Sequence, residues 1–181
     1  FGIVTAGKSY LDVRQALDDL GIDEAAARDI GLAVYKVAMV WPLEREGIRR
    51  FAEGLEEILV VEEKRALIEN QLKEELYHCD ASRRPRVVGK FDEAGDWVLP
   101  SINELTPARI ARVIAQRLAP IHSSQIIDDR LAFLEQKEAA LADWQAVGGE
   151  SPLKLAAPVV ADVLAERLSE GSGRFGHRSG A

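Results

Sequence analysis

Residues 2–21 read GIVTAGKSYLDVRQALDDLG, and the role of the first five residues in this stretch decides the fold. Residues 2–9 satisfy the pattern G-x-x-x-x-G-K-[ST] of a phosphate-binding loop, in which a strand ends before the first glycine and the variable residues wrap around phosphates. Here the variable residues are Ile3, Val4, Thr5 and Ala6, and Ile3, Val4 and Thr5 favour strands. If they form a strand, they cannot form the loop. The sequence offers no strand upstream of Gly2, and no run of four apolar residues ending in a Mg-binding aspartate follows later. The stretch therefore predicts a first strand over Gly2 to Thr5, a turn at Gly7, and a helix. Leu11, Val13, Ala16, Leu17 and Leu20 recur along that helix, and Gly21 stops it.

The same alternation continues along the chain. Asp23 caps a short helix, EAAARDI, that Gly31 ends, and AVYKVAM at 33–39 has the β-branched and aromatic content of a strand. Pro42 stops it. Ile48, Phe51, Ala52 and Leu55 fall at i, i+3, i+4 and i+7, one face of a helix. EILVVEE supplies a third strand whose apolar run, Ile58 to Val61, does not alternate, as expected of a strand covered by helices on both faces. KRALIENQLKEELYH gives a helix with Leu67, Ile68, Gln71, Leu72 and Leu76 along its inner stripe, and RPRVVGKF gives a fourth strand. Strands alternating with helices of this length predict an α/β fold, a doubly wound and mainly parallel open sheet with additional C-terminal helices.

After Asp92, DEAGDW predicts a turn with Gly95 at its tip, closed as a small hairpin by Trp97 and Val98. Thr106 is a natural N-cap, Pro107 suits the first helical position, and Leu105 can staple onto Ile110. That helix runs to about Leu118. A longer one follows from about Ser124 to Asp143, with Ile127, Leu131, Leu134 and Leu141 on its stripe. PLKLAAPVVADVLAERL reads as a helix kinked or restarted at Pro158, ahead of a Gly/Ser-rich tail too polar to order itself. The expected organisation is an α/β domain over 1–120, a helical appendage or linker over 121–170, and a disordered tail over 171–181.

Composition narrows the function classes. Of the 181 residues, 47% are apolar and 29% charged, ordinary proportions for a globular protein, and no apolar run approaches the roughly 18 to 20 residues needed to cross a bilayer. A net charge of -7 gives no support to a nucleic-acid surface. The lone Cys79 can make neither an internal disulfide nor a cysteine-rich metal site, so a reducing cytoplasm fits best. The immediate start of a strand at Phe1 suggests a piece of a longer polypeptide.

Among candidate residues, Gly7, Lys8 and Ser9 lie where a parallel sheet meets ligands or partners, beyond the carboxyl ends of its strands. Glu62, Glu63 and Lys64 follow the third strand and share that edge. Neighbouring carboxylates in a strand or turn diverge, so a helix-start or interface role outweighs acid–base work. His78 beside Cys79 lacks ligand spacing to His122 or His177, so no metal site is expected. Trp41, Trp97 and Trp144 read as core or domain-docking residues, and RRPR at 83–86 as a solvated loop with a phosphate or CoA contact as the minority reading.

Taken together, GIVTAGKSYLDVRQAL, YKVAMVWPLEREGIRRFAEGLEEILVVEEKRALIENQLKEELY and RPRVVGKF resemble the 2-oxoacid:ferredoxin oxidoreductases, in particular the long fused form of indolepyruvate ferredoxin oxidoreductase. The resemblance covers about residues 1–140 and weakens after Asp143. It implies a domain similar to the C-terminal domain of transketolase, within an enzyme that decarboxylates arylpyruvates oxidatively to aryl-acetyl-CoA. It also implies thiamine diphosphate, Mg and 4Fe-4S clusters for the full enzyme, with ferredoxin and CoA as its partners. None of these cofactors is expected on this fragment, which has neither a GDG-type diphosphate motif nor a cluster-binding run of cysteines. No catalytic residue is assigned. Gly7, Ser9, Tyr10, Glu62, Glu63 and Lys64 are the residues expected near an interface or ligand, with other domains of the enzyme, or a second copy of the chain, as partners. The alternatives are a free-standing α/β interaction module and a nucleotide-binding protein that uses GIVTAGKS.

Overall fold

The computed structural model describes residues 1–102 and 104–146. The chain divides into two compact units, Phe1–Leu134 and Glu135–Ala181. The elements run β1 (Gly2–Ala6), α1 (Gly7–Asp19), α2 (Glu24–Ile30), β2 (Ala33–Val37), α3 (Arg45–Ala52), β3 (Glu57–Val61), α4 (Leu67–Leu76), β4 (Arg86–Val88), α5 (Pro107–Leu118) and α6 (Gln125–Ala146). Four strands form one sheet in the order β2-β1-β3-β4. Every pair is parallel, with Gly2 opposite Ala33 on one side of β1 and Ile58 on the other, and Ile58 opposite Val87. The α/β, doubly wound architecture expected from the alternation is what forms.

Side-chain alternation along β1 and β3 splits the interior in two. Ile3, Leu59 and Val61 point to a core shared with Val13 and Leu17 of α1, Ile110, Ile114 and Leu118 of α5, and Ile127 of α6. Val4, Ile58 and Val60 point the other way, onto Ile48 and Ala52 of α3 and Ile68, Leu72 and Leu76 of α4. β3 is buried along its whole length, which explains its unbroken apolar run.

The helix signals act as read. Asp23 accepts from the Ala26 amide at 2.8 Å, and α2 ends at Gly31 with φ 74°. Thr106 accepts from Arg109, with Pro107 opening α5. Phe91 and Trp97 form an antiparallel bridge, and the Val98 amide donates to the Lys90 carbonyl at 2.9 Å, the expected small hairpin.

Some boundaries shift. Leu11 is 65% exposed, because the buried face of α1 is set by Ser9, Asp12, Val13, Ala16 and Leu17. α4 starts at Leu67 rather than Lys64, and β4 keeps only Arg86–Val88. Gly89 ends that strand where a Cβ would lie 2.2 Å from a Glu69 carboxylate oxygen. Trp41 and Trp97 are exposed, so neither is a core residue. Leu131 and Leu134 of α6 pack on the first core, whereas Leu141 is exposed. The Trp144 side chain, the helix expected around Pro158 and the tail over 171–181 lie outside the described residues.

One polar tie crosses the first unit. Glu57, 2% exposed at the start of β3, accepts two bonds of 2.6 Å from the Arg117 guanidinium of α5, and Arg86 of β4 approaches at 3.1 Å. A forked pair of this kind is strong once formed, but its carboxylate cannot be left buried alone. Arg117→Met leaves Glu57 with Arg86 as its cation and should therefore lower the unfolding free energy by about 1–3 kcal/mol in urea titrations, and adding Glu57→Leu should recover most of that loss.

Candidate functional site

The carboxyl edge of the sheet is a set of loops fastened to one another. β1 runs into α1 through Gly7, whose φ of 53° favours glycine. α1 has no side-chain cap at its N-terminus. From the first turn of α1 the Lys8 ammonium reaches Asp12 at 2.8 Å, Glu104 at 3.1 Å and Glu63 at 3.8 Å. Its hydrogen bonds to Asp12 and then Glu104 hold it well above the ordinary lysine range. Lys8, half-exposed, is thus paired with carboxylates, and β1 is paired on both sides through the residues that a phosphate loop would need. The phosphate-loop pattern in GIVTAGKS is a strand, Gly2–Ala6, that runs straight into the first turn of α1 at Gly7, with no separate turn between them.

The loop after β2 is fixed by Gln71 of α4. Its side chain accepts from the Leu43 amide at 2.8 Å and donates to the Val40 and Leu67 carbonyls at 2.9 Å each. This explains a glutamine within an otherwise apolar stripe.

The loop after β3 is held from both ends. Glu62 reaches forward to accept from the Ile68 amide at 3.0 Å and the Glu69 amide at 3.1 Å, capping α4 from outside the helix, since Ala66 at the N-cap offers no side-chain bond. Burial pushes the Glu62 carboxyl above its usual range, opposed by the amides of Ile68, Glu69 and Leu67 and by the charge of Lys90. Lys90, buried just beyond β4, donates to the Glu62 carbonyl, to Glu63 at 2.9 Å and to Pro100 at 3.4 Å. Its own amide donates to Glu69 at 2.9 Å. Burial pulls the Lys90 ammonium below the lysine range, and Glu62, Glu69 and Glu63 oppose the shift.

Between these loops lies a cleft of about 470 Å³ lined by Ala6, Gly7, Lys8, Ser9, Val40, Glu62, Glu63, Lys64, Arg65, Leu67 and Ile68. Of the residues singled out in the sequence, Gly7, Ser9, Glu62, Glu63 and Lys64 meet here, with Ser9 buried in its wall. Tyr10 does not. It lines a separate cavity beside β2, with the Lys36 ammonium 4.5 Å from its ring centre. Sequence reading missed Lys90 and the capping reach of Glu62. The signal for Lys90 was a charged residue closing an apolar strand after a glycine. In the cleft wall Val40 and Leu67 stand exposed, and Met39 and Trp41, on either side of Val40 in the chain, are exposed as well.

His78 and Cys79 are exposed, and among the described residues no group of three His, Cys, Asp or Glu side chains could hold a metal. The basic stretch at 83–86 is a loop leading into β4, in which Arg84 donates to the Tyr77 carbonyl and Arg86 pairs with Glu57. No helix among the described residues is long and apolar enough to cross a membrane.

Fold and cleft define an open parallel α/β domain whose carboxyl edge carries exposed apolar side chains beside polar groups that fasten its loops. Residues 1–144 match the family described as the indolepyruvate ferredoxin oxidoreductase middle domain, and the chain belongs to that family. It is 30% identical over 128 residues to the indolepyruvate oxidoreductase subunit IorA of Thermococcus kodakarensis, covering 69% of this chain and 18% of the relative. The IorA subunit of Pyrococcus abyssi is also 30% identical, with 69% and 17% covered. The chain therefore spans less than a fifth of the length of these relatives. A solved structure described as a split-gene transketolase, inactive beta4 tetramer, is 19% identical, with a TM-score of 0.43 over 67% of this chain and 39% of that one.

Two outcomes follow for the edge. Lys90→Met leaves the part-buried carbonyls of Glu62 and Glu63 without their donor, so it should cost about 1–3 kcal/mol and speed amide exchange at 62–66 ahead of the sheet. For Glu62 the folded state holds its proton more tightly than the unfolded chain does. Its contribution therefore favours folding at low pH and is lost as pH rises from the ordinary carboxyl range through the raised folded value. Relative to Glu62→Gln, the wild-type melting temperature should fall as pH rises upward from the ordinary carboxyl range, and a flat difference would contradict the raised carboxyl.

Proposed function

We propose that this chain is a non-catalytic docking domain of a thiamine-diphosphate-dependent indolepyruvate:ferredoxin oxidoreductase, in which other domains carry out the oxidative decarboxylation of arylpyruvates to aryl-acetyl-CoA. The observation that carries this reading is the division of labour at the carboxyl edge. Lys8, Lys90, Glu62 and Gln71 are spent on fastening loops, while Val40 and Leu67 are left open in the cleft wall and Met39 and Trp41, flanking Val40 in the chain, are exposed. A reaction centre needs polar groups free to meet substrate, whereas a docking surface needs apolar groups free to be covered.

In this reading Gly7, Ser9, Glu62, Glu63 and Lys64 face a neighbouring domain across the cleft, and Tyr10 serves the separate cavity beside β2. Ferredoxin, CoA and the cofactors engage other parts of the enzyme, in a reducing cytoplasm. Thiamine diphosphate supplies carbanion stabilisation when bound to such an enzyme, but the donor set of the cleft does not fit its Mg-diphosphate. Glu62 is committed to the amides of α4, and Lys8 is shared among carboxylates. A single cysteine likewise cannot ligate a cluster held by four thiolates.

Val40→Asp and Trp41→Ala, both at exposed side chains, should leave the melting temperature of the chain within about 1 °C and weaken its association with the rest of the enzyme at least about tenfold. Unchanged association would overturn the docking surface. Calorimetry of the chain with Mg-ATP should give no binding heat, and micromolar binding abolished by Lys8→Ala would restore the nucleotide reading.

A further inference from the structure

α3 and α4 carry a second group of charges, away from the carboxyl-edge cleft. Arg45 and Arg49 lie one turn apart on α3, and both reach Glu75 of α4, Arg45 through Nε at 2.7 Å and Arg49 through Nη2 at 2.8 Å. The Glu75 side chain is 8% exposed, whereas those of Arg45 and Arg49 are 71% and 54% exposed. A single buried carboxylate therefore holds two guanidiniums side by side while engaging only one nitrogen of each. Among the described residues neither arginine has another partner.

The two arginines line a cavity of about 590 Å³, within the size range of small-molecule sites, and Tyr77 and His78 form another part of its wall. Their rings meet edge to face, with centroids 5.0 Å apart and planes at 80°. Arg84 donates to the Tyr77 carbonyl at 3.2 Å, which holds the chain where it leaves α4. Forked donors beside an exposed aromatic ring match a ligand that joins a carboxylate to a flat ring. Charge narrows the class. Glu75 offsets one of the two guanidiniums, and Lys73, also in the wall, is held by Glu69 at 2.6 Å. Glu74 borders the cavity and repels further negative charge, so a monoanion suits the site and a polyphosphate does not.

We propose that the cavity between α3 and α4 binds an aromatic monocarboxylate, with its carboxylate held by Arg45 and Arg49 and its ring against Tyr77. None of the residues that line it borders the carboxyl-edge cleft, so this site stands apart from the docking-domain reading.

Isothermal titration of the chain with indole-3-acetate as probe should give saturable binding with a Kd below about 1 mM. Indole-3-acetamide keeps the ring without the charge, and cyclohexylacetate keeps the charge without the flat ring; each should bind at least about tenfold more weakly. Arg45→Gln and Arg49→Gln, at exposed side chains, should leave the melting temperature within about 2 °C and weaken indole-3-acetate at least about tenfold. Arg45→Lys should not restore the affinity, because an ammonium lacks the fork. Tyr77→Ala should erase the preference for indole-3-acetate over cyclohexylacetate, a change in selectivity that loss of folding would not produce. The absence of saturable binding would overturn the site, as would equal binding of the acetamide, or wild-type affinity in both arginine-to-glutamine variants. Val40→Asp should leave indole-3-acetate binding unchanged, so failure of this site and failure of the docking surface are read separately.

Discussion

The structure depends on burying β3 on both faces. Glu57–Val61 has a strand on either side and helices above and below, so each of its side chains must find a dry partner. Burial of this kind favours an unbroken apolar run and lets β1 contribute alternately to two separate cores, one against α1, α5 and the start of α6 and one against α3 and α4. The single carboxylate at the start of β3 is tolerated because Arg117 meets it with both prongs of its guanidinium. A parallel sheet built around such a strand returns its chain over one edge after each strand, and that edge becomes the place where loops accumulate.

Loops at an edge expose backbone groups that need partners, and here long side chains supply them. Glu62 reaches forward to cap α4, Gln71 reaches back to the loop after β2, and Lys90 crosses from the end of β4 to gather carbonyls of Glu62, Glu63 and Pro100. Each such bond contributes modestly, but a buried carbonyl left without its donor is costly, so the set behaves as a single fastening. The same commitment ties these groups to the loops, while Val40 and Leu67 stand exposed in the cleft wall.

Much of the fold was legible because its signals are local and periodic. The apolar run of β3, the cap at Asp23, the Thr106–Pro107 start of α5 and the glycine stops at Gly21 and Gly31 were read from short stretches and appear in place. The resemblance to the oxidoreductase family was likewise carried by whole elements in order, and the family assignment agrees with it. The site was less legible, because its ties join residues far apart in the chain. Lys90 meets Glu62 across 28 positions and Gln71 meets Val40 across 31, separations at which no pattern in a window signals contact. Leu11 shows the opposite error, since an apolar residue at a plausible helical offset lies outside the face that α1 buries.

The strand order β2-β1-β3-β4 also bears on how the domain is made. No two consecutive strands form a hairpin, and every sheet contact waits for a crossover. On a ribosome adding about 5–20 residues per second, β1 emerges several seconds before β3 can pair with it. During that interval one edge of Gly2–Ala6 has only water or a chaperone beside it, and the central sheet closes only once Val61 has cleared the exit tunnel. Synthesis of this domain is thus a timed exposure of one edge of β1, ended by the arrival of β3, the strand that pairs with that edge.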